Sequence, residues 1–216
     1  ADPGKAPQYL YFGSSIHTQD VTQLSLPTNG RMDAYPAYGL NPQSEAALSV
    51  RHADGNLTTS LAIQSVTTRT EAHATVTTIR MKDTVYPLTV TLNYRAYSDV
   101  DMIETWTEIT NQEKSAVTLT QFASACLPIR RGNVWCSHLY GSWANEGQLA
   151  EEPLMPGELV IKNKDGVRNS HTDHAEMMFS LDGKPRENQG RVIGAALCYS
   201  GNYRLKVETD DTEYHY

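Results

Sequence analysis

The sequence has no run of Lys or Arg longer than Arg130-Arg131, and its net charge is -7 with a pI near 5.5. The electrostatic footprint of a nucleic-acid binder is therefore missing. No apolar run approaches the roughly 18 residues that a membrane helix needs, and no charged segment followed by an apolar one opens the chain. Neither nucleic acid nor membrane is expected among its partners. The start at Ala1-Asp2-Pro3-Gly4, without Met, fits a removed export signal and fits the remnant of an expression tag equally. Cys126, Cys136 and Cys198 are odd in number and have no C-x-x-C spacing, which excludes a dense disulfide framework and a zinc-knuckle pattern. They are read as core-lining thiols, with a Cys126–Cys136 pair left open should the two flank a turn. No G-x-S-x-G elbow, Walker loop or dinucleotide fingerprint occurs, so no cofactor is expected. No window of helical length keeps apolar residues at i, i+3, i+4 and i+7 with caps, although Ser44 to Leu48 has room for one turn. No period of 20 to 50 residues recurs, which disfavours a propeller or solenoid.

What remains is a strand-forming chain of 216 residues, long enough for one large all-β domain or two small ones. Tyr9 to Phe12 and Gln23 to Leu26 are short β-prone pieces among Ser, Thr and Asp. Ala46, Leu48 and Val50 alternate before Asp54-Gly55, and Leu61 to Val66 follows, which predicts a hairpin. Thr75 to Met81 and Val85 to Tyr94, around Lys82-Asp83-Thr84, predict a second. Met102 to Ile109 and Val117 to Leu127, across Asn111-Gln112-Glu113-Lys114, predict a third. Glu151 to Gly157 contains two prolines and reads as an excursion. Val160 to Lys162, Glu176 to Leu181, Val192 to Tyr199 and Tyr203 to Val207 are the later strands, with Asp182-Gly183-Lys184-Pro185 and Ser200-Gly201-Asn202 as turns. Asn56-Leu57-Thr58 forms a bare glycosylation sequon.

Four groups of residues carry possible chemistry. His138 to Glu146, reading His-Leu-Tyr-Gly-Ser-Trp-Ala-Asn-Glu, gathers an imidazole, two large aromatics and a carboxylate around Gly141. Trp143 there serves one of two ends: a ring facing a sugar from a loop, or a buried cap on a sandwich core with Tyr140 covering it. Ala34-Tyr35-Pro36-Ala37-Tyr38-Gly39 holds two tyrosines on a stiff loop with the same two readings, since Pro36 forces Tyr35 extended. Glycosidic hydrolysis needs two carboxyl groups at a fixed separation. The candidate pairs Asp99/Asp101 and Glu104/Glu108 read as solvated strand-face residues, so no catalytic residue is assigned. His171 and Asp173 would share a strand face, but nothing nearby supplies a third ligand, so no metal is assigned.

Four stretches, in order, are similar to the amino-terminal domain of glycoside hydrolase family 36 α-galactosidases. They are Tyr35-Pro36-Ala37-Tyr38-Gly39, His52-Ala53-Asp54-Gly55-Asn56, His138-Leu139-Tyr140-Gly141-Ser142-Trp143 and Tyr199-Ser200-Gly201-Asn202, with Ser170-His171 between the last two. The resemblance covers nearly the whole chain. It implies an all-β β-supersandwich of two large stacked antiparallel sheets with little helix, lying before a (β/α)8 barrel. That barrel carries the two aspartates for retaining hydrolysis of α-galactosides and is not in this chain. Residues 1–216 would be the non-catalytic domain, with its own barrel as partner, a galactoside bound through that barrel, and a homo-oligomeric parent. Trp143, His138 and Tyr38 are the substrate-facing residues it implies. Where many members continue with Thr-Gly-Asp-Phe-Arg, this chain has Leu40-Asn41-Pro42-Gln43-Ser44; Pro42 offers a hydroxyl no side-chain acceptor, which leaves the exact glycoside open. The alternative is a free-standing carbohydrate-binding module or cell-surface β-sandwich protein.

Overall fold

Thr, Val, Ile and Tyr dominate the strand candidates because β-branched and aromatic side chains pack well on a pleated surface. The computed structural model describes residues 4–14, 16–21, 23–24, 32–39, 45–168, 171–209 and 214–215, in two units, Ala1–Pro128 and Ile129–Tyr216. The all-β class expected from the sequence is the class observed, and every pairing between named strands is antiparallel.

The first unit contains α1 (Thr18–Val21), β1 (Leu48–Arg51), β2 (Leu61–Thr70), β3 (Ala74–Asp83), β4 (Leu88–Tyr97), β5 (Ile103–Asn111) and β6 (Thr118–Phe122). Strands β2-β3-β4-β5 form a meander in that order, and β1 pairs with β6. Register explains the core. Val90 lies opposite both Met81 and Ile109, and Leu92 lies opposite Ile79, so these side chains leave one face of the sheet. Leu88, Val90, Leu92 and Met81 cluster there with Tyr35, Leu48 and Val50. Burying each of the large aliphatic side chains contributes about 1.5–3 kcal/mol.

The other face of the meander is polar, and there Asn93 faces Trp106 while Arg95 faces Glu104. Thr78 Oγ1 donates to Asn93 Oδ1 at 2.8 Å, and Asn93 Nδ2 and Trp106 Nε1 both donate to Glu108 Oε1 at 3.1 Å. Arg95 Nη1 donates to Glu104 Oε2 at 2.6 Å, with its guanidinium carbon 5.3 Å from the Trp106 ring centre. The carboxylates of Glu104 and Glu108 thus serve this cross-strand ladder.

Two of the expected hairpins are corrected. The Asp54-Gly55 turn forms, with His52 N donating to Asn56 O at 2.8 Å and φ of Gly55 at 91°. Yet β1 pairs with β6 and β2 pairs with β3. Turn chemistry sets a local reversal, whereas strand partners follow from which faces bury together. Likewise β5 pairs with β4, not with β6, so Asn111 to Lys114 is a turn out of the meander. The second hairpin, β3 with β4, is as expected. Tyr9 to Phe12 form no strand, and the nearest pairing is a single bridge from Gln8 to Asp33. The helical turn expected at Ser44 to Leu48 is not made where described, because Leu48 opens β1; Ser44, like the 40–43 segment and residues 25–26, lies outside the described residues.

The second unit contains β7 (Ile129–Arg130), β8 (Trp135–Tyr140), β9 (Gln148–Pro153), β10 (Gly157–Asn163), β11 (Glu176–Ser180), β12 (Val192–Ala196), β13 (Tyr203–Thr209) and β14 (Tyr214–His215). They make two four-stranded sheets, β12-β11-β8-β9 and β10-β13-β14-β7. The stretch read as an excursion is in part β9, because Pro153 sits at the end of an edge strand, where a missing N–H costs no ladder bond. All three cysteines are free; Cys136 is buried and Cys126 packs on the first core, but Cys198 is exposed, against the reading of three core-lining thiols. Burial raises the Cys126 thiol to about 11 and the Cys136 thiol to about 12, with Asp33 and Glu152 adding to each in turn.

Candidate functional site

Strand β8 ends at Tyr140 and β9 begins at Gln148, so residues 141–147 form the hairpin loop between them. Its conformation is set by short-range contacts. Ser142 N donates to Asn145 O at 3.3 Å, Asn145 N returns to Ser142 O at 2.9 Å, and Ala144 N donates to Glu146 Oε1 at 3.0 Å. Ala144 carries φ of 62°, the left-handed region that costs a residue with a Cβ about 1–2 kcal/mol. Gly141 does not supply the turn by such an angle. It permits close approach: a Cβ there would lie 2.6 Å from Asn145 O and 2.7 Å from Glu146 Cα.

The loop presents Trp143 outward, 81% exposed, and the buried-cap reading of this residue is thereby overturned. A short hairpin loop whose backbone bonds to itself leaves its apex side chain without a core to enter. Tyr140, 46% exposed, covers no buried indole. His138 is different. Its side chain is 12% exposed, Nε2 lies 3.2 Å from Glu152 Oε1, and Nδ1 is buried without a partner among the described residues. The segment expected as a polar turn braces this hairpin: Gly141 N donates to Thr172 O at 2.7 Å, His174 N donates to Leu139 O at 3.2 Å, and Tyr140 bridges Asp173. Among the described residues no group of three His, Cys, Asp or Glu side chains is arranged to hold a metal.

Tyr38 lies in the other unit from Trp143 and His138. It is 52% exposed, whereas Tyr35 is buried and donates its hydroxyl to Ala123 O at 2.8 Å, so the two tyrosines of one loop divide between surface and core. Gly39 follows at φ of 111°, where a Cβ would meet Thr58 at 2.8 Å. Pro42 lies outside the described residues.

Other signature stretches turn out to be architectural. Buried Asn163, which sequence reasoning passed over, donates to Gly166 O at 2.6 Å and to Gly201 O at 2.8 Å, while Asn202 Oδ1 accepts from Gly166 N at 2.8 Å. No sequence signal marked Asn163 beyond its place at the end of a strand. In the first unit His52 stacks on Tyr86 with centroids 3.7 Å apart, and Tyr86 donates to Asp54 Oδ2 at 2.8 Å.

The family model described as the glycosyl hydrolase family 36 N-terminal domain matches residues 5–215. The chain is 24% identical over 194 residues to alpha-galactosidase AgaA of Geobacillus stearothermophilus, covering 83% of this chain and 26% of that protein. It is 28% identical over 144 residues to alpha-galactosidase 2 of Pediococcus pentosaceus, covering 66% of this chain and 20% of that protein. The chain thus spans about a quarter or less of the length of these relatives. The solved alpha-galactosidase from Lactobacillus brevis superposes with a TM-score of 0.82 at 23% identity, over 96% of this chain and 32% of that one. The AgaA crystal structure superposes with a TM-score of 0.84 at 21% identity, over 100% of this chain and 34% of that one. A match running through both units and all four signature stretches leaves one assignment: the chain belongs to the glycosyl hydrolase family 36 N-terminal domain family.

Proposed function

We propose that the chain is the non-catalytic amino-terminal domain of an α-galactosidase, packing on a (β/α)8 barrel outside these residues that hydrolyses terminal α-galactosides with retention. The observation that carries this reading is the family match over residues 5–215 combined with coverage of only 26% of the first relative's length. Geometry within the chain agrees with it. Glu104 and Glu108 are committed to Arg95, Asn93 and Trp106, and Asp99 lies 3.6 Å from His73, so neither weighed carboxylate pair is set up for acid and nucleophile duty. Trp143 on the second unit and Tyr38 on the first are each exposed, and each is by itself a candidate to face a galactoside, because the C–H face of a pyranose packs on an aromatic plane. His138, held by Glu152, stiffens the strand that carries the Trp143 loop. The parent forms a homo-oligomer in this reading.

Hydrolysis of an aryl α-galactoside is the test. The 216-residue chain alone turns over none, and a protein joining it to a family barrel does; turnover by the chain alone that is lost on Glu104→Gln or Glu108→Gln sinks the proposal.

A further inference from the structure

The last row of the β12-β11-β8-β9 sheet carries an arrangement that the core does not require. Tyr140 stands directly opposite Gln148 of β9 on one side and bridges Asp173 on the other, so all three side chains leave the same face of the sheet. Adjacent strands are about 4.8 Å apart. An amide and a carboxylate therefore flank a phenol ring at a spacing of about 10 Å, which one pyranose ring with its hydroxyls bridges. The backbone at Asp173 is fixed from three directions: Tyr203 donates its hydroxyl to Asp173 O at 3.0 Å, and the neighbouring Thr172 and His174 are tied to Gly141 and Leu139. Its carboxylate, by contrast, accepts no hydrogen bond among the described residues, and neither the Gln148 amide nor the Tyr140 hydroxyl is engaged there. A rigid frame that leaves its polar tips free and its aromatic face half open is how a small polar ligand is recognised on a sheet.

We propose that Gln148, Tyr140 and Asp173 form a hexose subsite in this chain, with the Tyr140 ring under the C–H face of the sugar. Asp173 accepts from its hydroxyls, and Gln148 both donates and accepts. The choice of a hexose rests on the galactoside reading above; the existence of the subsite rests on the row itself.

The test uses the 216-residue chain and methyl α-galactopyranoside, with saturation-transfer NMR as the readout and methyl α-glucopyranoside beside it. The wild-type chain transfers magnetisation to the galactoside with an affinity on the order of millimolar, as three or four contacts on an open surface allow. Asp173→Asn, which leaves the backbone bonds in place, weakens binding about tenfold. Tyr140→Ala abolishes it, and Tyr140→Phe, which keeps the ring, retains most of it. Circular dichroism of each variant confirms that it is folded. Equal binding of the glucoside supports a hexose subsite without a preference for galactose. No transfer to either sugar overturns the proposal, as does binding that survives both Asp173→Asn and Tyr140→Ala unchanged but vanishes in Trp143→Ala. Hydrolysis by the barrel-containing protein is measured separately, so a failed subsite and a failed enzyme assignment give different results.

Discussion

His52 and Glu113, 61 residues apart in sequence, meet with Nδ1 2.7 Å from Oε1 in a site where their side chains are 0% and 5% exposed. The second carboxylate oxygen accepts from Ala53 N at 3.0 Å, and His52 Nε2 lies 3.0 Å from Thr59 Oγ1. This contact joins the Asp54-Gly55 turn to the turn after β5. Replacing Glu113 with Ala leaves a buried imidazole nitrogen and a backbone N–H unpaired, and the expected loss is about 1–3 kcal/mol. Urea unfolding measures it, with Glu113→Gln expected to lose less.

Trp143 is 81% exposed, so Trp143→Ala leaves the melting temperature within about a degree of wild type, as for a surface substitution. In the barrel-containing protein the same change is expected to lower kcat/KM for an α-galactoside, because the ring proposed to face the sugar is gone. A fall in melting temperature of several degrees with unchanged kinetics would return Trp143 to a purely structural role.

The hairpin loop makes opposite demands at two small residues. Gly141→Ala drives a Cβ to 2.6 Å from Asn145 O, where only backbone can give way, and is expected to cost about 2 kcal/mol or more. Ala144→Gly relieves φ of 62° and, after the added entropy of the unfolded chain, is expected to be neutral to about 1 kcal/mol stabilising. Thermal melts of the two variants are compared directly.

The thiols separate by exposure. At pH 8 an aromatic disulfide reagent modifies Cys198 in the folded chain. It reaches Cys126 and Cys136 only after denaturation, since burial both shields them and disfavours their thiolates. Mass spectrometry of the labelled peptides reads the order.

His215 is buried, with Nδ1 2.7 Å from Thr209 Oγ1, and its pKa is lowered first by desolvation and then by the charge of Arg131. The unfolded chain takes up this proton at a higher pH than the folded one. Stability from this residue is therefore fully present above the ordinary value of 6.5 and declines as pH falls through 6.5 toward the lower folded value. Melting temperatures measured from pH 7.5 down to pH 5 follow that direction, and His215→Asn flattens the slope.

By itself the sequence determined what depends on neighbours in the chain. The alternation of Leu88, Val90 and Leu92, the Asp54-Gly55 reversal and the absence of helical periodicity sufficed for an all-β chain, for the β3–β4 hairpin and for most later strands. Its four signature stretches sufficed for the family. Tertiary structure decided what depends on distant partners. β1 lies with β6 because Leu48 and Val50 join the core of the meander, and no local turn signal encodes a pairing across more than sixty residues. Tyr35 went inward and Tyr38 outward on one loop, and Trp143 went to the surface because its loop closes on its own backbone. The row of Gln148, Tyr140 and Asp173 was illegible beforehand for the same reason: it is assembled by register between separate strands, and register is set by burial across the whole sheet.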